Sequence, residues 1–405
     1  MQNDPTAPIS PTDGASLIRG TNQSGMRAHN ERLVLSLIRQ RGPMAKADIA
    51  RATGLSAQTI SVIMRALESD GLLIKGTPVR GRVGQPSVPM RLDEKGAYFL
   101  GLKVGRRSVE LVLIDFLGTV IDRAFQTYAY PTPKAALQIA EAQIDALLSR
   151  LTSAQRMRVA GLGIAMPFFL WSWAGQLGVP EEKMAGWRDT DLRADIAALH
   201  DFPVFLQNDA SAACGAQVVF GPANQPRDFL YFYVGYFIGG GVVLNGALFN
   251  GRGNAGAMGP MPVTTSQGVQ SLIDVASLSE LEARLRAKGH KSTGTWSNPE
   301  DWDFDDDILH DWADTAAHGL AHAIVSATAI IDFEAVLIDG WIPHDLRARL
   351  VSETARHLDS FDLTGLNRPD IRTGTIGPDA RAMGAASLPL SERFLLDSNA
   401  FQKAL

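Results

Sequence analysis

The chain has 405 residues, 45% hydrophobic and 20% charged, which is long enough for two or three domains and a large buried core. Its formal net charge of −5 excludes indiscriminate attraction to nucleic acid, but the charge is unevenly placed. Residues 1–92 carry twelve Lys and Arg against six Asp and Glu, and the remainder carries 26 against 37. A basic head on an acidic body is the pattern of a head that meets a polyanion. The single cysteine, Cys214, rules out an intrachain disulfide framework and any Cys-based zinc cluster, which fits a reducing cytoplasm.

Residues 1–24 open with "MQNDPTAPISPTDGAS", rich in Pro, Ser, Thr and Asp, with no basic or apolar region of a secretory signal. They read as a disordered tail. "NERLVLSLIRQR" (30–41) places Leu33, Leu37 and Ile38 on one helical face, and Gly42-Pro43 ends that helix. "AKADIARATG" predicts a short second helix stopped by Gly54. Ser56 is then a natural N-cap for "AQTISVIMRALESDG", whose buried side is Ile60, Ile63, Met64 and Leu67.

Two helices joined by a tight glycine turn, the second polar at its start, spell a helix-turn-helix. Gln58 suits an adenine edge in the major groove, Thr59 or Ser61 a base or phosphate, and Arg65 a phosphate. "LLIKGTPVRGRVGQPSVPMRL" reads as strand, glycine-rich tip and strand, a wing with Arg80 and Arg82 at its tip for the DNA backbone or an adjacent minor groove. The winged head is expected over residues 25–92.

From Ala97 the pattern changes. "YFLGLKVGRRSVELVLIDFLGTVIDRAFQTY" predicts three consecutive strands with turns at Gly105-Arg106 and Leu117-Gly118. A helix, "KAALQIAEAQIDALLSRL", and an apolar strand, "RVAGLGIAM", follow. A second strand-rich block begins at "DFLYFYVGYFIGGGVVLNGALF" and leads to a long helix near 307–330 and the strand "EAVLID". Two similar halves imply a two-lobed α/β body with a cleft between lobes. Residues 229–251 carry no charge and are long enough to span a bilayer. Their glycine triplet, Asn245-Gly246 turn and β-rich spelling instead predict a buried hairpin, and no membrane partner is expected.

The pieces "LGLKVGRRSVELVLIDFLGTVI", "GLGIAMP", "LQNDASAACGA", "IGGGVVLNGALFNGRGNAGAMG" and "IGPDARAMGAASL", in this order, make residues 30–390 resemble the ROK family, specifically its repressors. The resemblance implies a winged helix-turn-helix followed by an actin-like (ribonuclease H-like) sugar-kinase-type body. That body is expected over 93–405, with lobes near 93–214 and 215–385 and the segment 386–405 packing back on the first lobe.

Departures from the family pattern matter as much. Where family kinases carry an acidic residue followed by Gly-Gly-Thr, this chain reads "LKVGRRS", with Lys103, Arg106 and Arg107. A lysine does not coordinate Mg²⁺, and two arginines fill the space where backbone would approach phosphate. The family's Gly-Thr-Gly becomes Gly235-Tyr236-Phe237, so the glycine stretch reads as a relic of a phosphate loop. Trp341 obstructs the adenosine side. No kinase activity and no cofactor are expected.

The family's catalytic-base position survives as Asp209, and Asn208 with Asp209 suits the hydroxyls of a sugar, sugar phosphate or polyol effector. An N-cap or Asx turn is the alternative reading. In "AGAMGPM" Gly256 remains as an effector-site candidate. Ala257 and Pro260 replace the family's sugar-binding glutamate and its histidine, which is also a zinc ligand. Asp274 lies close to another family sugar contact. Phe168, Phe169, Trp171 and Trp173 are candidates either for lining a pocket or for core and dimer packing.

"GRGNAG" fits G-x-G-x-x-G but precedes prolines instead of a helix. Asp301, Asp303 and Asp305 begin a calcium-loop pattern that lacks its glycine and glutamate. His310, Asp314, His318 and His322 form one helical stripe without a zinc-protease glutamate. None is carried forward as a site.

The expectation is a cytoplasmic transcriptional regulator, a repressor of carbohydrate or polyol genes. Its partners would be double-stranded operator DNA, a small effector and one or three further copies of itself in a homodimer or homotetramer. The alternatives are a body that only dimerises and a sugar kinase with a DNA-binding head.

Overall fold

The computed structural model describes residues 23–78, 88–296 and 298–396. The head is built from helices α1 (Gln23–Arg41), α2 (Lys46–Thr53) and α3 (Ala57–Ser69) and the antiparallel strands β1 (Leu73–Lys75) and β2 (Met90–Leu92). Gly54 adopts φ +69 between α2 and α3, a left-handed turn that favours glycine. Ser56 caps α3 by accepting the Thr59 amide at 3.1 Å. The buried side of α3 is Ile60, Ile63, Met64 and Leu67, as the spacing predicts. Helix α1 starts seven residues before the periodic run and includes Gln23 and Gln23's neighbours up to residue 30. Most of the expected tail, residues 1–22, and the wing tip with Arg80 and Arg82 lie outside the described residues.

The body repeats one topology twice. In the first sheet β3 (Tyr98–Val104), β4 (Ser108–Ile114) and β5 (Val120–Thr127) form an antiparallel meander. Strands β6 (Val159–Met166) and β7 (Val204–Asn208) then add in parallel, in the order β5-β4-β3-β6-β7. In the second sheet β8 (Phe229–Val234), β9 (Gly239–Leu244) and β10 (Ala247–Phe249) form the meander. A small hairpin, β11 (Pro262–Thr265) and β12 (Gly268–Ser271), follows. Strands β13 (Ala335–Gly340) and β14 (Asp370–Thr373) complete the second sheet in parallel, in the order β10-β9-β8-β13-β14. The charge-free segment is therefore sheet, with Asn245 (φ 58) and Gly246 (φ 76) making the tight turn. Among the described residues no helix is long and apolar enough to cross a membrane.

The glycine triplet is placed differently from the expectation. Gly239, Gly240 and Gly241 lie inside β9, and the turn is Gly235–Ile238. A Cβ on Gly239 would stand 2.6 Å from that of Ala210, and one on Gly241 2.5 Å from Cys214 Cβ. The triplet thus lets the helix Asp209–Phe220 press onto β9, a packing demand that reads in sequence like a phosphate grip.

The helix Ala380–Phe394 crosses the first sheet, where a Cβ on Gly101 or Gly163 would strike the Ala382 and Ala385 carbonyl oxygens at 2.1 and 1.8 Å. The return onto the first lobe thus begins before residue 386. Residues 397–405 lie outside the described residues. Phe394 meets Phe99 and Phe116 with ring centroids 5.8 and 5.0 Å away. This cluster is continuous with Leu35, Ile38, Ile60 and Leu67 of the head, so head and body share one core. Polar contacts reinforce the seam. Arg39, half-buried, donates to the Phe116 carbonyl. Arg158 donates to the Gly96 and Asp70 carbonyls at 3.0 and 3.3 Å, and Ser36 Oγ accepts the Leu396 amide at 2.9 Å.

Candidate functional sites

Two surfaces carry chemistry. On the head, the capped start of α3 presents Gln58 exposed and Thr59 and Ser61 half-buried, with Arg65 exposed further along the helix. The Thr59 hydroxyl is 2.8 Å from Ser56 Oγ, which ties it to the cap, and Arg65 Nε donates to the Ser61 carbonyl at 3.2 Å. Gln58 makes no such local contact and stands clear at the first turn. The structure therefore places Gln58, Thr59 and Ser61 in the first turns of α3 and Arg65 further along the same helix.

The second surface is a narrow cleft between the lobes, partly open to solvent. Its floor is the β3–β4 turn. Lys103, only 4% exposed, donates to Ser108 Oγ at 2.8 Å and sits 5.7 Å from the Trp341 ring. Burial, followed by the charge of Arg381, pulls its ammonium down to about 7, while Glu110 and Asp209 oppose the shift. The Arg106 guanidinium lies 4.4 Å from each ring of the stacked Trp173 and Phe237, whose centroids are 4.5 Å apart. Arg107 lies 4.9 Å from the Tyr236 ring and 4.7 Å from the Trp296 ring, and donates to the Tyr236 hydroxyl at 3.2 Å. Burial lowers Arg106 to about 10.

Behind this floor, Asp209 faces Arg381 at 3.5 Å, and Arg381 rests 4.9 Å from the Tyr233 ring. Burial opposes the charge of Arg381, but Tyr233, Asp209 and Glu110 outweigh it and raise its pKa. Glu110, opposite Lys103 across the β3–β4 pair, is raised by burial. Deeper in the second lobe, fully buried Asp339 accepts from Arg347 at 2.6 Å, the Gly377 amide at 3.0 Å and the Tyr231 hydroxyl at 3.1 Å.

The expected effector residues are only partly brought together. Asn208 caps the helix Asp209–Phe220 by accepting the Ala210 and Ser211 amides at 3.1 and 3.4 Å, so its carbonyl oxygen is committed and the capping alternative describes it. Asp209 reaches the cleft only through Arg381. Gly256 (φ +81) packs against the backbone of Gly240 and Gly241, where a Cβ would stand 2.6 Å from Gly241 Cα. Asp274 is exposed on the short helix Leu272–Ala276. None of these four lines the cleft.

The sequence reading missed Arg381, Glu282, Thr295 and Trp296 as cleft residues. Arg381 sat inside a quoted motif, "IGPDARAMG", where its charge in an otherwise small-residue helix was the signal. Trp296 sits in a Gly-, Ser- and Thr-rich stretch with no pattern to place it. Of the aromatic run, Trp173 packs on the cleft residue Arg106 without lining the cleft itself, whereas Phe169 is exposed and meets Trp171 edge-on.

The histidine stripe is also resolved. Asp314, Glu353 and His357 are close enough to share an ion, but Arg356 already pairs Asp314 at 2.6 Å and Glu353 at 2.7 Å. His357 binds Asp314 at 2.8 Å. The carboxylates are neutralised by protein, and the cluster reads as a surface ion-pair network.

The winged helix-turn-helix DNA-binding profile matches residues 27–74. An uncharacterized protein of Sinorhizobium fredii is 25% identical over 90% of this chain and 91% of its own length. The xylose repressor of Bacillus subtilis is 25% identical over 60% of this chain and 62% of its length, so the chain matches under two thirds of that relative. In three dimensions the chain resembles an ROK family transcriptional regulator described as a homologue of the E. coli MLC protein. That likeness has TM-score 0.66 and 22% identity, and covers 94% of this chain and 99% of that one. A Streptomyces griseus ROK family glucokinase in complex with glucose and AMPPNP matches at TM-score 0.54 and 17% identity, over 72% of this chain and 99% of that one. The two likenesses establish the fold, and since the ROK profile matches residues 99–392, most of the chain, the protein belongs to the ROK family.

Proposed function

We propose that the protein is a cytoplasmic DNA-binding transcriptional regulator, a repressor of carbohydrate or polyol genes, that works as a dimer or tetramer. In this reading residues 25–92 read the operator, and the body from residue 93 onward dimerises and binds a small effector. The observation that carries the reading is α3: one face is locked into the core shared with the body, and the other leaves Gln58 exposed in the first turn and Arg65 exposed two turns further on. That arrangement suits a helix entering the major groove, with Gln58 directed at a base and Arg65 at a phosphate. The relatives named as xylose repressor and as transcriptional regulator support it.

Effector response has a mechanical basis. The helix Ala380–Phe394 carries Arg381 in the cleft at one end and Phe394 in the head's core at the other. A ligand that moves Arg381 would shift the head, provided that it binds the two arrangements with different affinity. The family's nucleotide site is proposed to be lost, because Lys103, Arg106, Tyr236, Phe237 and Trp341 fill it with side chains, and the zinc site is proposed to be lost with the missing cysteines. The committed cap at Asn208, with Ala257 and Pro260 in the sugar segment, favours a second reading in which no neutral sugar is bound and the body only dimerises.

The test is binding of purified protein to its own upstream intergenic DNA across a salt series, with and without sugars and polyols. Sequence-selective binding supports the regulator, and a ligand that alters it identifies the effector. Absence of selective binding overturns the reading for that DNA, and ATP turnover on a sugar panel would revive the kinase. Gln58→Ala is expected to cost about 1–3 kcal/mol of discrimination at one base pair per half-site, whereas Arg65→Ala should weaken all sequences alike and flatten the salt slope.

A further inference from the structure

The charge of the cleft is unbalanced. Four cations line it, Lys103, Arg106, Arg107 and Arg381, against one carboxylate, Glu282. Glu282 is itself engaged, accepting from Thr295 Oγ1 at 2.6 Å and Trp296 Nε1 at 3.1 Å. Among the described residues Arg381 alone of the four has an ion-pair partner, the long contact to Asp209. Arg106 is 8% exposed, and its Nε, like those of Arg107 and Arg381, is buried without a hydrogen-bond partner. The rings of Trp173 and Phe237 hold Arg106 and offer no acceptor for its N–H groups, whereas Arg107 donates to the Tyr236 hydroxyl and the Ala129 carbonyl, each at 3.2 Å, and keeps only its Nε without a partner. Buried guanidinium donors left this way are costly unless something completes them, and an oxyanion with several lone pairs is the group that does so in bidentate fashion.

We infer that this cleft is a receptor site for an anionic carbohydrate, a sugar bearing a phosphate or a carboxylate, whose charged group is held by Arg106, Arg107 and Lys103. The inference rests on the regulator reading above and deepens it by naming the ligand class. The charged group occupies the cationic floor, and the ring lies against the faces of Trp296 and Trp341 at the rim. A neutral sugar leaves the guanidinium donors incomplete and gains little. Arg381, at the start of the helix that ends beneath the head, is the cation through which occupancy would reach α1 and α3.

The experiment titrates the full chain calorimetrically with inorganic phosphate, glucose 6-phosphate, glucuronate, ATP and neutral glucose at low salt, and repeats it for Arg106→Gln, Arg107→Gln and the exposed control Arg252→Gln. At least one sugar anion is expected to bind about tenfold or more tightly than glucose, to lose about tenfold in affinity in either cleft variant, and to be unaffected by the control. Either cleft variant serves if the other fails to fold. Phosphorylated and carboxylated arms separate the two sources of charge. Glucose binding as tightly as its anions, ATP or phosphate alone binding in their place, an affinity indifferent to both cleft variants, or no binding at all would each overturn the inference. Selective DNA binding by the same preparation separates the outcomes: if it persists, only the ligand class falls, and if it is absent, the regulator reading falls with it.

Discussion

The two lobes open with the same hairpin, and the hairpins carry opposite chemistry. At the end of β3 the chain reads Leu-Lys-Val-Gly-Arg-Arg, and at the end of β8 it reads Phe-Tyr-Val-Gly-Tyr-Phe. Lys103 thus corresponds to Tyr233, Arg106 to Tyr236 and Arg107 to Phe237. The two pairs meet across the cleft crosswise, as cation and ring: Arg106 against Phe237 and Arg107 against Tyr236. A duplicated fold supplies two turns pointing at one cavity, and what fills them decides its use. Small residues in both would leave backbone amides for phosphates. Long cations in one and rings in the other join the lobes and leave a cationic floor.

The strongest way to break the comparison is at the charge that is fully paired. Asp339, at the end of β13, has its carboxylate completed by Arg347, Tyr231 and the Gly377 amide, whereas the cations at the end of β3 are not completed. Arg347→Leu leaves a buried carboxylate without its counter-ion and is expected to destabilise the chain by about 3–5 kcal/mol, read by urea denaturation. A loss below about 1 kcal/mol would mean that the Tyr231 hydroxyl and the Gly377 amide hold the carboxylate without Arg347 and that the two lobes do not differ in this respect.

The contact between the hairpins is weaker. A double-mutant cycle of Arg106→Gln with Phe237→Leu is expected to return a coupling of about 1–2 kcal/mol, the range for a desolvated cation–π contact. Arg107 with Tyr236 adds a hydrogen bond to the ring contact, but Arg107 is more open to solvent, so its coupling should be no larger. Additive losses in both cycles would reduce the latch to coincident packing.

Much of this architecture was legible because it follows local rules. Hydrophobic periodicity placed α3 and its buried side, Ser56 marked the cap, and Asn245-Gly246 marked the hairpin. The cleft was legible only in part. Lys103, Arg106, Tyr236, Phe237 and Trp341 stood out because they broke an expected pattern of small residues. Arg381 and Trp296 did not, since what makes them cleft residues is long-range: a helix from the far end of the chain crossing the first sheet, and an irregular segment folded over the turn. The glycine triplet misled for a related reason. Close helix-to-strand packing and phosphate binding both demand a missing Cβ, and sequence alone does not separate them. Asn208 shows the same degeneracy, since an amide that caps a helix is spelled like one that binds a hydroxyl.

The smallest expected effect is the most diagnostic of the asymmetry, and it concerns Lys103. Its counterpart Tyr233 keeps a neutral hydroxyl bonded to the Pro378 carbonyl at 3.0 Å, a group that burial suits. Lys103 is a buried ammonium whose pKa falls to about 7 from an ordinary 10.5, through burial and then through Arg381. Between those values the unfolded chain binds the proton that the folded chain has released, so stability contributed at this site rises as pH climbs from 7 towards 10.5. Below about 7 the folded chain must carry the buried charge and the penalty is complete. Lys103→Met keeps the length and removes the charge. It should leave stability at neutral pH unchanged or raise it by about 1 kcal/mol, and should abolish that part of the pH slope. Comparing the two chains at each pH cancels the titration of every other group. A bound anion reverses the sign: it favours the protonated lysine, so binding takes up a proton and affinity falls as pH rises above 7. If Lys103→Met is strongly destabilising at every pH, the ammonium is already fully compensated by Ser108, Glu110 and Asp209. The floor of the cleft would then be as complete as the pocket around Asp339, and the difference between the lobes would lie in shape alone.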